Sequence, residues 1–190
     1  MPSARFCALL PMLHLLSTSW LSAAGDLSTQ NFNQAALRAG IRAENIGKPM
    51  QVRSDESIAT VLAVRLVATD GTSHLGARLS LDDRGQVEDL YLPEDDVARL
   101  REEFAHFASW READLQCDAI TLCVQGVARC SPSEGTRQPV CPSMYSTPQG
   151  ERGIIISTKE RSFRFPSAHT SAFVAALDAS LEQITALRRP

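Results

Sequence analysis

Residues Ile58–Phe107 read IATVLAVRLVATDGTSHLGARLSLDDRGQVEDLYLPEDDVARLREEFAHF, and the fold turns on this stretch. Asp70-Gly71 is the dipeptide that a two-residue type I′ hairpin turn prefers, because both central positions of that turn require positive φ. Folding the chain about this pair sets Leu66 opposite Leu75, Val64 opposite Ala77 and Leu62 opposite Leu79. Side chains alternate along a strand, so these six share one face and predict a half-buried antiparallel pair. The other face then carries Val61, Ala63, Arg65 and Val67 against Ser80, Arg78, Gly76 and His74, a mixed set that leaves His74 exposed. A second turn at Asp82–Gly85 leads into a third strand, Val87–Leu92, with Leu90 and Leu92 on the buried face. Pro93 ends that strand and opens a helix, since its fixed φ suits the first helical turn. Glu94, Asp95 and Asp96 place negative charge at the positive end of the helix dipole. Val97, Leu100, Phe104 and Phe107 recur at helical spacing and predict the stripe that covers the sheet, with Trp110 extending it.

Working outward, the second half repeats the pattern in weaker form. Ile120, Leu122 and Val124 alternate as a strand, and Gly126 suggests a bulge or bend. Residues 131–152 are rich in Ser, Pro and Gly and read as a long loop, with a short strand near Val140–Tyr145. Ile154–Ser157 and Arg161–Phe165 form a strand pair closed by Pro166, and a helix runs on to about Leu187 with Phe173, Leu177, Leu181 and Ile184 as its stripe. Phe163 and Phe165 face the core and Arg164 faces solvent. Leu90-Tyr91-Leu92-Pro93 aligns with Phe163-Arg164-Phe165-Pro166, and counting on from each proline brings Leu100 onto Phe173 and Phe104 onto Leu177. The expected architecture is α+β: an antiparallel sheet with two long helices packed on one face, with a βββα duplication suggested by the aligned junctions. An α+β arrangement without internal symmetry accounts for the same pattern.

The chain before Ile58 divides in two. Residues 1–25 read as a signal peptide: Arg5 is the positive start, Phe6–Leu16 a short apolar run, and Ser22-Ala23-Ala24 a small-residue cleavage site. The run is shorter than the ~20 apolar residues a membrane helix needs. Pro11 and His14 interrupt it, so no stable insertion is expected once it is cleaved. Residues 26–57 read as a loosely ordered N-terminal segment. Asn33–Ile41 is suited to a short helix with Asn33 as N-cap, weakened by Gly40. Gly47–Ser57, which is polar and contains Gly and Pro, reads as a linker. Residues 58–190 are then a single α+β domain, of a size that supports an ordinary core.

Cys7 departs with the signal, leaving Cys117, Cys123, Cys130 and Cys141. An even number in an exported chain predicts two disulfides. Six residues on one straight strand would hold Cys117 and Cys123 ~20 Å apart, so a bond between them requires Cys117 to lie off the strand. Cys130–Cys141 across the loop, with Cys117–Cys123, is the favoured pairing, and the other two connectivities stay open. Zinc fits poorly, because the spacings are wider than a C-x2-C knuckle and no histidine lies among the cysteines. Thiol–disulfide exchange fits poorly for want of a C-x-x-C pair.

The remaining candidates for chemistry are dispersed. His74, His106 and His169 share no local constellation, and no metalloprotease, nucleophile-elbow or phosphate-loop motif is present. Asp82-Asp83 reads as a turn and Glu94-Asp95-Asp96 as a helix start rather than as calcium sites. No catalytic, cofactor-binding or metal residue is assigned, and no cofactor is expected. A formal net charge of −3 gives no footprint for nucleic acid or an anionic membrane. The sequence therefore reads as an exported bacterial envelope protein, periplasmic or secreted. The expected role is a non-enzymatic binding or interaction module for another envelope protein or a small ligand. A homodimer is open to it, and the alternative is a hydrolase-like enzyme with a dispersed Ser/His/carboxylate site.

Overall fold

A computed structural model describes residues 32, 35–37, 40–109, 123–126, 140–147, 149, 151–158 and 161–188. Four strands come first: β1 (Ile41–Arg53), β2 (Ser57–Ala68), β3 (Ser73–Asp83) and β4 (Gln86–Pro93), followed by helix α1 (Glu94–Ser109). Four shorter strands follow: β5 (Cys123–Gly126), β6 (Cys141–Ser146), β7 (Arg152–Ser157) and β8 (Ser162–Pro166). A 3₁₀ turn, Ser167–His169, then leads into helix α2 (Thr170–Ala186). Each set of strands is an antiparallel meander in sequence order, β1-β2-β3-β4 and β5-β6-β7-β8. The fold is α+β, with two sheets where the sequence suggested one. Each half is a run of four strands and a helix, one strand more than the expected βββα unit. Residues 1–25, read as a signal peptide, and Trp110, Cys117, Cys130 and most of the long loop lie outside the described residues.

The first hairpin departs from its expected register. Leu66 pairs with His74, Val64 with Gly76 and Leu62 with Arg78, while Val61 pairs with Leu79 and Ala63 with Ala77. The loop has three residues rather than two. Ala68 N donates to Thr72 O at 2.9 Å, and Gly71 N donates to Ala68 O at 3.0 Å, enclosing Thr69-Asp70-Gly71. Gly71 has φ +83, whereas Asp70 keeps negative φ, so the turn is not type I′. Thr72 supplies the reason: its backbone N–H and hydroxyl donate to Asp70 Oδ1 at 2.9 and 2.7 Å, an Asx turn that holds Asp70 out of the left-handed region. One added loop residue shifts the pairing by one and changes which residues of β3 share a face with those of β2. The type I′ turn sits instead at the β3–β4 hairpin, where Arg84 and Gly85 have φ +52 and +86 between paired Asp83 and Gln86.

The true core face follows from this register. Ala59 and Val61 of β2, Ala77, Leu79 and Leu81 of β3, and Leu90 and Leu92 of β4 join a single apolar cluster. That cluster takes in Val97, Leu100, Phe104 and Phe107 of α1, Phe173, Ala176 and Leu177 of α2, and Met144, Ile154, Ile156, Phe163 and Phe165 of the second sheet. Its centre is aromatic: Phe104 stacks on Phe173 at 4.6 Å and 4°, and Phe165 meets Phe173 edge-on at 4.9 Å. Both proline junctions therefore deliver their strand and helix stripes to the same core, and Arg164 between the two phenylalanines is exposed as expected. The helices run antiparallel. Arg101 Nε donates to Asp178 Oδ1 at 2.9 Å midway along, and Arg188 beyond the end of α2 pairs with Glu94 at the start of α1.

The stretch read as a linker, Gly47–Ser57, instead carries the end of β1 and the start of β2. β1 pairs with β2 along its length, with a register shift between Ile46 and Met50. Gly47-Lys48-Pro49 fills that irregularity on an outermost strand, where a residue lacking an N–H is tolerated and the break discourages edge-to-edge pairing. Gln183 of α2 backs it, with Nε2 3.5 Å from Lys48 O. The short helix also differs from expectation: Phe32 is already helical, and Ile41, read as its last residue, opens β1.

Candidate functional site

The outer face of the first sheet carries a second apolar layer. Leu62, Val64 and Leu66 of β2 point away from the main core, sharing a face with Arg78, Gly76 and His74 of β3. They are nonetheless 4%, 0% and 3% exposed, although they lie outside the principal core cluster. β2 is thus apolar on both faces, as a strand covered on both sides must be.

Phe32 helps to provide that cover. Its side chain is 1% exposed, and its ring lies so close over Gly76 that a Cβ there would sit 2.7 Å from Cζ and 2.8 Å from Cε1. The same Cβ would lie 2.2 Å from the Leu92 carbonyl oxygen, so glycine is required twice over. Ala35 and Ala36 are half-buried beside it and Leu37 is exposed. Over Gly76 the face is therefore covered by a ring from a segment far from β3 in sequence, at a point where β3 has no side chain.

Polar groups flank this seat. His74 and Arg78 lie two residues to either side of Gly76 on the same face. His74 Nε2 and Arg78 Nε are both shielded from solvent and, among the described residues, have no hydrogen-bond partner. A buried donor without an acceptor is costly, and native structures carry few. Asp70 does not supply the acceptor. Thr72's hydroxyl and backbone N–H hold its carboxyl below its ordinary value, with a smaller contribution from the charge of His74. Sequence reasoning placed His74 on an exposed face because of the register error, and it missed Phe32. The available signal was a lone aromatic in the uncharged run Gln30-Asn31-Phe32-Asn33-Gln34.

The second sheet presents a different outer surface. Tyr145 lies across from Gly153, with its ring where a Cβ would fall. The Arg164 guanidinium carbon stands 5.9 Å from the ring centroid, a cation–π distance.

The other candidates stay apart. His74 is on β3, His106 on α1, and His169 in the 3₁₀ turn, where its Nδ1 lies 3.3 Å from Pro166 O. Asp82 Oδ1 accepts from Gly85 N at 2.7 Å, consistent with a turn role. Among the described residues, no group of three or more His, Cys, Asp or Glu is arranged to hold a metal ion, and no helix is long and apolar enough to cross a membrane. The ladders also bear on the cysteines. Cys123 pairs with Ser146, five residues along β6 from Cys141. The two Cα atoms are therefore ~17 Å apart at ~3.4 Å per residue, against a disulfide limit of about 7 Å. A Cys123–Cys141 bond is incompatible with this register.

Compared with known proteins, the chain is matched by no family model, by no curated protein and by no solved structure. The class is defined by the fold alone, a two-sheet α+β domain, and the function must be argued from the surface just described.

Proposed function

We propose that this is a non-catalytic binding module, exported to the bacterial periplasm or beyond, that engages its partner on the outer face of the first sheet. The observation that carries the reading is the buried apolar layer Leu62, Val64 and Leu66, on a face where Phe32 from a separate segment is seated over Gly76. A face covered by a ring presented from another part of the chain suits exchange, since the seat remains when the ring leaves. Export rests on the signal-like residues 1–25 and on four cysteines in the remainder.

Two measurements test the two parts. Deleting residues 26–36 from the mature chain is expected to leave a cooperatively unfolding protein, with a stability loss of the order of one buried aromatic, about 3–5 kcal/mol. A deleted chain that shows no folded baseline makes Phe32 plain core and removes the binding reading. Intact mass of the protein recovered from a bacterial envelope is expected to show loss of the first 24 or 25 residues, with four thiols appearing only after reduction. An intact N-terminus or four free thiols removes export.

A further inference from the structure

The Phe32 seat has an apolar centre with a guanidinium and an imidazole beside it, and Phe32 matches only the first. Phe32 fills the space over Gly76. Its neighbours in sequence, Gln30, Asn31, Asn33 and Gln34, carry no carboxylate, and among the described residues Arg78 Nε and His74 Nε2 have no hydrogen-bond partner. A guanidinium N–H shielded from water is best satisfied by an ionised acceptor, whose hydrogen bonds are roughly twice as strong as neutral ones. Resting on the binding reading above, we infer that the outer face of the first sheet recognises an acidic peptide segment. Its aromatic residue takes the Phe32 seat and its flanking carboxylates reach Arg78 and His74.

The consequence is a ranked competition. In cis, Phe32 holds the seat at high effective concentration. A partner segment bearing Asp or Glu beside its aromatic residue adds polar contacts to Arg78 and His74, and so displaces Phe32. Selectivity for acidic segments comes from Arg78 and His74, and the apolar layer supplies affinity without discrimination. This is the usual division between the polar and apolar parts of a binding groove.

The test uses the full mature chain carrying Phe32→Ala, which vacates the seat. Two synthetic peptides are titrated by ligand-observed NMR: residues 27–37 of this chain, and the same peptide with Asn31→Asp and Asn33→Asp. The acidic peptide is expected to bind about tenfold more tightly, the scale of one charge-assisted hydrogen bond. Arg78→Gln in the same background is expected to bring the ratio close to one. Equal affinity for the two peptides overturns the acidic preference but leaves the binding reading standing. Failure of a folded Phe32→Ala protein to bind either peptide overturns both. A ratio that survives Arg78→Gln together with His74→Gln overturns the assignment to these residues. Should Phe32→Ala not fold, the pair Asn31→Asp and Asn33→Asp is placed in the otherwise wild-type chain. Its thermal midpoint is then expected to rise, and to rise less when Arg78→Gln is added. No rise, or a rise independent of Arg78, overturns the inference.

Discussion

Alanine at Gly76 and alanine at Gly153 are the same substitution in two strands, and the structure separates their effects. At Gly76 the added methyl would meet the Leu92 carbonyl oxygen at 2.2 Å and the Phe32 ring at 2.7–2.8 Å. The carbonyl belongs to the β3–β4 ladder, where Ala77 pairs with Leu92, and moves only with the backbone. Overpacking of this kind costs about 1–3 kcal/mol, and a clash with backbone places Gly76→Ala at the upper end, about 3 kcal/mol. At Gly153 the nearest atoms are Cε1, Cζ and Oη of Tyr145, at 2.3–2.5 Å. All belong to one half-buried side chain that can rotate about χ1. The loss is then mainly the Arg164 contact, about 0.5–1 kcal/mol at an exposed site. It is offset by a gain of similar size, about 0.5–1 kcal/mol, because alanine replaces glycine inside a strand. Equilibrium urea unfolding followed by far-UV circular dichroism reads both. With a slope of about 1–3 kcal/mol per molar urea, the Gly76→Ala midpoint is expected about 1 M or more below wild type, and the Gly153→Ala midpoint close to it. Equal midpoints for the two variants, or a milder effect at Gly76, would refute the claim that the Phe32 seat is closed by backbone and not by movable side chains.

Three further outcomes follow from the geometry. Phe104→Ala and Phe173→Ala are each expected to cost about 3–5 kcal/mol, and their double-mutant cycle is expected to show coupling of about 0.5–1.5 kcal/mol from the stacked pair. Asp70 has its carboxyl held below the ordinary value of 3.8 by Thr72, so its contribution is present above that pH and is lost as the pH falls through its lower folded value. Asp70→Ala is accordingly expected to be less stable than wild type at pH 7, with the gap closing as unfolding is measured progressively below pH 3.8. Non-reducing peptide mapping of the oxidised protein is expected to contain no Cys123–Cys141 linked peptide, and finding one as the main species contradicts the β5–β6 register.

The strand–proline–helix junctions were legible in the sequence because their determinants are local. Pro93 and Pro166 fix the end of a strand and the start of a helix, and the 3.6-residue spacing of Val97, Leu100, Phe104 and Phe107 names the buried stripe whatever it packs against. These junctions, the third strand and the class α+β needed no knowledge of the tertiary structure. The β1 strand was not legible, because Gly47-Lys48-Pro49 has the composition of a linker. Its neighbour β2 makes it a strand by offering a row of paired donors and acceptors.

The first hairpin shows where local information ends. Asp70-Gly71 marks a turn correctly, yet two-residue and three-residue loops both bring leucines into register on one face. A strand apolar on one side only would decide between them. β2 is apolar on both sides, Ala59, Val61 and Ala63 on one and Leu62, Val64 and Leu66 on the other, so its own pattern is neutral. The choice falls to distant partners. Leu90 and Leu92 of β4 align with Leu79 and Ala77, the helices and the second sheet bury that face, and Phe32 covers the opposite one over Gly76. By itself the sequence determined the elements and their junctions, because short-range sterics and periodicity suffice for them. Only the tertiary structure decided which face of β2 is core and which is the candidate site, because that depends on what is packed against each side.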